Sequence, residues 1–175
     1  LIDELKANLE EAGLEYVTLG GVVPNPHLSK VREGIELCKK ENVDFILAVG
    51  GGSSIDTAKA VAHGAANPEE ALWDIWTKKV PLTKSLPVGA VLTIPAAGSE
   101  MSDSAVLTNE AIGKKAGINT PFNRCKFAIM NPELAATLPK YQIACGVTDI
   151  MMHTMERYFV NSGTVVRLPL FCDLQ

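Results

Sequence analysis

Three consecutive glycines, Gly50, Gly51 and Gly52, separate an apolar run, Val43 to Val49, from a segment of helical character that extends from Ser54 to about Ala66. Glycine inside regular structure costs roughly 0.5–1 kcal/mol relative to alanine, so three in succession mark a junction that needs bare backbone. The apolar run has the composition of a buried parallel strand. Where such a strand turns into a helix, the first amides and the positive end of the helix dipole face outward, and glycines let a phosphate approach them closely. The spacing matches neither G-x-G-x-x-G nor the Walker pattern, so on the residues alone a pyrophosphate cradle and a tight structural turn both stand open.

The flanking sequence sets this junction in an alternating pattern. Leu1, Ile2, Leu5, Leu9 and Ala12 recur at helical spacing and stop at Gly13, and Glu15 to Leu19 has β-rich composition. Gly20 to Pro26 reads as a loop, Leu28, Val31, Ile35 and Cys38 mark a second amphipathic helix, and Val88 to Ile94 is a further buried strand ending at Pro95. The βαβ alternation predicts an α/β fold with a doubly wound parallel sheet. Ala105–Thr108 and Lys115–Ile118 form an expected hairpin, and Lys126–Met130 a short strand. Glu133–Thr137 and Gln142–Val160 have helix-forming composition, which places a domain boundary near Pro139: an α/β domain over residues 1–138 and a helical region over 139–175. Thr164 to Gln175 fits neither period.

The hydrophobic content of 47% is enough for a sizeable core. A net charge of -4, with no run of lysines or arginines longer than two, argues against nucleic acid or an anionic membrane as the main partner and favours a small soluble ligand. Cys38, Cys125, Cys145 and Cys172 form no C-x-x-C pair and no zinc spacing, as expected of free thiols in a reducing cytosol. The N-terminus has no signal-peptide pattern and no stretch reaches 18 uninterrupted apolar residues, so a cytoplasmic location is expected. The chain opens on a helical pattern without Met, and a preceding segment is expected.

Other motifs carry weaker chemistry. Asp56 and Lys59, three apart on the predicted helix, read as a surface ion pair. Thr93 to Ser104 is a strand end followed by small and hydroxylated residues, placed where ligands bind in open α/β sheets; its hydroxyls could bond a phosphate or ribose, or only their own backbone. Asp149 and His153 project from one face of a helix and could grip one divalent metal, although such a pair is more often a surface contact. His27 and His63 receive no role. Gly20-Gly-Val-Val-Pro24 contains no acid to bond a ribose 2′-hydroxyl.

Together, GGGSSIDTAK, TIPAAGSEMSDSAVLTNE and GVTDIMMHTMERYF occur in the order and spacing of the iron-containing (group III) alcohol dehydrogenases, and residues 1 to about 163 resemble their butanol dehydrogenase-like branch. The resemblance implies a dehydroquinate synthase-like, dinucleotide-binding N-terminal domain, a helical metal-binding domain, and NAD(P)-dependent interconversion of small alcohols and aldehydes at Fe²⁺ or Zn²⁺. It assigns Gly50, Gly51, Gly52, Ser53 and Asp56 to the pyrophosphate motif, and Thr93, Ser102, Ser104 and Lys115 to further cofactor contacts. Asp149 and His153 match two of four metal ligands. Glycerol dehydrogenase and dehydroquinate synthase are similar to the same superfamily, but GSEMSDSAVLTNE looks less like either.

The sequence also departs from that pattern. The family's first strand is absent, the two further histidine ligands would lie beyond Gln175, and TVVRLPLFCDLQ does not resemble the family's helices. The chain therefore reads as an N-terminal fragment. The competing expectation is a truncated, inactive chain that binds a nucleotide or associates with like subunits.

Overall fold

In the computed structural model, residues 1–159 are described; the predicted helix end at Val160, the segment Thr164 to Gln175 and Cys172 lie outside them. The fold is α/β. Strands β1 (Ile46–Gly50), β2 (Val88–Leu92) and β5 (Ala128–Ile129) form a parallel sheet in the order β1-β2-β5, with Ala48 opposite Ala90 and Gly50 opposite Leu92. Strands β3 (Ser104–Asn109) and β4 (Lys114–Asn119) form an antiparallel hairpin in which Ser104 faces Asn119 and Asn109 faces Lys114. The helices are α1 (Ile2–Glu11), α2 (Leu28–Glu41), α3 (Gly52–Ala66), α4 (Leu72–Trp76), α5 (Pro132–Ala135) and α6 (Lys140–Phe159).

Helix α3 occupies the centre because its side chains are small. Ile55, Ala58 and Ala62 pack on the sheet against Ala48, Val88, Ala90 and Leu92, while Ala60 and Val61 pack with Val31, Ile35, Ile75, Trp76 and Leu107 from α2, α4 and the hairpin. At Gly64 a Cβ would stand 2.2 Å from Ile35 Cδ1, so α2 could not lie this close to any other residue there. From the hairpin turn, Glu110 reaches back to α2, and its two oxygens accept from the amides of Leu28 at 3.1 Å and Ser29 at 3.0 Å. Hydrogen bonds from Ser29, first of all, and from Leu28 hold that carboxyl down at about 2.

Three sequence expectations need correction. Glu15–Leu19 forms no strand: a cavity of about 180 Å³ adjoins Val17 and Leu19 on one hand and Phe45 with Ile46 to Val49 of β1 on the other, and β1 pairs only with β2 among the described residues. Helix α4 is absent from the sequence pattern because five residues are too few for periodicity to register. His63, given no role, is fully buried and joins three segments: Nδ1 lies 2.8 Å from Ser85 Oγ and Nε2 lies 2.7 Å from Asn123 Oδ1. Asn123 uses its amide nitrogen to donate to the carbonyls of Asp103 and Ile118, which fixes its oxygen toward His63 and requires Nε2 to carry the proton.

Burial is the main reason that the His63 imidazole titrates low, at about 4 against an ordinary 6.5; the Asn123 bond opposes this and the Lys59 charge adds to it. Because the folded value lies below the unfolded one, the neutral ring's contribution to stability is complete above pH 6.5 and is lost as pH falls from there through 4. Urea unfolding midpoints at stepwise pH should therefore fall across that window. In His63→Gln, which cannot take up a proton, the same curve should be flatter between the two pH values.

Candidate functional site

Strand β1 ends at Gly50, whose φ of 148° turns the chain out of the sheet, and α3 begins two residues later. Ser54 and Ile55 both donate to the Gly51 carbonyl, at 3.0 and 3.1 Å, so the amides of Gly52 and Ser53 precede the first bonds of the helix. Gly51, the residue that caps the helix, has no side chain with which to satisfy them. The glycines differ in what surrounds them. A Cβ at Gly51 would stand 2.5 Å from Ile94 Cγ2, whereas one at Gly52 would meet nothing within 4 Å. Gly51 is bare for packing, and Gly52 opens onto free space above the turn.

Around this turn the fold gathers several of the predicted residues. The Thr93 amide donates to the Gly50 carbonyl at 3.0 Å, which sets Thr93 beside the turn. The Asn25 amide donates to Ser53 Oγ at 3.3 Å, and Asn25 Oδ1 accepts from Lys115 Nζ at 2.9 Å, so a cation on β4 is tied to the start of α3. Asn25, with a φ of 62°, is the linking residue that sequence reasoning passed over as loop; its place between Pro24 and Pro26 was the available signal for a fixed turn.

The remaining motif residues have other partners. Asp56 and Lys59 are both buried, which corrects the surface ion pair. Asp56 Oδ1 accepts from Ser99 Oγ at 2.5 Å and Oδ2 from the Val106 amide at 2.9 Å, so the carboxylate binds the loop after β2 and the strand that follows it. Lys59 Nζ donates to the carbonyls of Ser99 (2.7 Å), Ser102 (3.3 Å) and Ser104 (2.8 Å), and to Ser99 Oγ (3.1 Å). The spacing of three put both groups on one face, but that face meets the hairpin and its loop rather than water. Burial pushes the Lys59 pKa down, against the pull of Asp56 and other acids nearby. Ser102 Oγ bonds within its own loop, to the carbonyl and amide of Ser104, both at 3.3 Å.

Asp149 and His153 lie one turn apart on α6, with Nε2 3.7 Å from Oδ2 and both side chains about two-thirds exposed. No group of three or more His, Cys, Asp or Glu side chains suited to a metal ion exists among the described residues. The pair offers one oxygen and one nitrogen and fits part of a coordination shell only.

Comparison with known proteins shows the family to which this fold belongs. A model of iron-containing alcohol dehydrogenases matches residues 1–132. The chain belongs to the iron-containing alcohol dehydrogenase family. It is 45% identical over 173 residues to a probable NADH-dependent butanol dehydrogenase of Bacillus subtilis, covering 99% of this chain and 44% of that protein. An NADPH-dependent aldehyde reductase of Escherichia coli is 36% identical over 150 residues, covering 83% of this chain and 38% of its own length. The crystal structure of NADH-dependent butanol dehydrogenase A from Thermotoga maritima superposes with a TM-score of 0.85 at 44% identity, over 92% of this chain and 40% of that one. The chain thus spans about two-fifths of the length of these relatives of the iron-containing alcohol dehydrogenase family.

The unequal surroundings of the two glycines separate folding from binding. Gly51→Val should destabilise the protein by about 1–3 kcal/mol, the usual cost of overpacking, because its side chain would overlap Ile94. Gly52→Val should melt close to the parent yet lose affinity for nicotinamide coenzymes. Thermal denaturation alongside fluorescence titration with NADPH distinguishes the two effects.

Proposed function

We propose that this chain supplies the coenzyme-binding part of a cytoplasmic NAD(P)(H)-dependent oxidoreductase acting on small alcohols and aldehydes, with NADP(H) preferred. The observation that carries this reading is the turn from Gly50 to Ser53 at the carboxyl end of a parallel strand, where the amides of Gly52 and Ser53 precede the helix's own bonds and Gly52 opens onto free space. The coenzyme fits that turn: the amides of Gly52 and Ser53 would hold its pyrophosphate, and Lys115, fixed by Asn25, adds positive charge beside it. When bound, the nicotinamide accepts or delivers the hydride. The preference for NADP(H) rests on the loop Gly20–Pro24, which carries no acid, and on Lys30, whose Nζ lies 3.5 Å from where a Gly21 Cβ would stand. A lysine there suits a 2′-phosphate.

Asp149 and His153 are the residues that would hold a divalent metal, and an oxygen with a nitrogen suits Fe²⁺ or Zn²⁺ alike. A catalytic cation generally has three or more protein ligands, so the described residues alone do not make a catalytic centre. That count favours a second reading for the 175-residue polypeptide on its own: it binds coenzyme or associates with like chains without turnover.

Two measurements test these readings. In side-by-side fluorescence titrations NADPH should bind about tenfold or more tightly than NADH, a difference of about 1.4 kcal/mol. Tighter binding of NADH overturns the coenzyme preference, and binding of neither overturns the functional reading. In the second, the purified chain is given Fe²⁺ or Zn²⁺, NADPH and butanal, beside an Asp149→Ala, His153→Ala double variant. Little or no turnover is expected from either. Turnover that depends on both residues would refute the inactive reading and show that further ligands come from another chain.

A further inference from the structure

The buried ammonium of Lys59 lies inside a cage of oxygens contributed by one short loop. Ser99 and Ser104 stand at the two ends of that loop, and both carbonyls, with that of Ser102 between them, accept from Nζ within 2.7–3.3 Å. Ser99 Oγ gives its one proton to Asp56, so toward Lys59 it can only accept. Four acceptors and no donor surround the group, which is the environment of a bound cation. The lysine is fully buried, so water does not screen these contacts. The loop follows β2, whose end is bonded to the glycine turn through the Thr93 amide and the Gly50 carbonyl.

We propose that Lys59 is a positioning residue that acts as an internal cation: it folds residues 99–104 around its charge and so holds the wall of the coenzyme site beside the Gly50–Ser53 turn. The proposal rests on the coenzyme reading above. Without the charge, three carbonyl dipoles converge on one another and the loop must open. Packing cannot replace it. An apolar side chain of the same length fills the space and supplies no donor, which leaves the Ser99 and Ser102 carbonyls unpaired and the Ser104 carbonyl with only Ser102 Oγ.

The test uses the full chain as parent, Lys59→Met, and Lys59→Ala with and without ethylammonium. Lys59→Met should bind NADPH about tenfold or more weakly, as expected for the loss of hydrogen bonds to a charged group. Its amides over residues 99–104 should exchange with deuterium faster than in the parent. Ethylammonium should restore both properties in Lys59→Ala, whereas tetramethylammonium, which carries charge but no N–H, should not. Should either variant fold poorly, the parent's own Lys59 ammonium gives the reading by nitrogen-15 NMR: a slowly exchanging signal supports the cage, and its absence overturns it. Unchanged NADPH affinity in folded Lys59→Met, or equal restoration by tetramethylammonium, also overturns the proposal. If the parent binds neither coenzyme, the functional reading falls and takes the coenzyme part of this inference with it.

Discussion

The structure depends on a stripe of polar side chains within a helix that is otherwise surrounded by apolar neighbours. Asp56, Lys59 and His63 follow one another at spacings of three and four on α3, and all three are buried. Each is bonded to distant chain segments: Asp56 to Ser99 and Val106, Lys59 to the same loop over residues 99–104, and His63 to Ser85 and Asn123. Apolar burial is non-directional and would let the hairpin slide against the helix. Directed bonds to a buried carboxylate, an ammonium and an imidazole do not allow that, and breaking any one leaves a desolvated polar group.

This stripe also links packing to the site. The turn Gly50–Ser53 starts α3, and the same helix one to three turns later holds the connections that flank the turn. Loop 99–104 and strand β3 are held by Asp56 and Lys59, and the hairpin in turn meets the segment before α2, where the Thr108 amide donates to the Pro26 carbonyl at 2.7 Å. That contact lies next to Asn25, which ties Lys115 to Ser53. A displacement of the hairpin would therefore move Lys115 away from the turn as well.

Much of this order was legible in the sequence because it rests on period and on glycine. The apolar runs before Gly50 and Pro95 became β1 and β2, the hairpin appeared where Ala105–Thr108 and Lys115–Ile118 placed it, and α2, α3 and α6 follow their patterns to within a few residues. What failed did so for physical reasons. Glu15–Leu19 has the composition of a strand, but a strand exists only through its neighbours, and none pairs with it. Asp56, Lys59 and His63 looked like surface residues or nothing at all, since burial of a charge depends on partners 22 to 60 positions away that no local pattern reveals. The family motifs pointed to Asp56 as part of the cofactor turn, while its carboxylate oxygens are occupied by Ser99 and Val106.

The Asp149–His153 pair shows the opposite condition. Asp149 and His153 sit on a helix in which all residues but Gly146 and Thr154 are exposed, Ile143, Val147, Ile150, Met151, Met152, Met155, Tyr158 and Phe159 among them. A helix with apolar side chains on so many sides is suited to being surrounded. Metal ligands hold a defined geometry when outer hydrogen bonds orient the imidazole and the carboxylate. Among the described residues Asp149 and His153 have a recorded polar contact only with each other, at 3.7 Å. Nothing but rotamer preference aims either donor, so a cation bound there would keep most of its water and little directional constraint. The Gly50–Ser53 turn differs because its donors are backbone amides at the start of a buried helix, fixed by the fold itself.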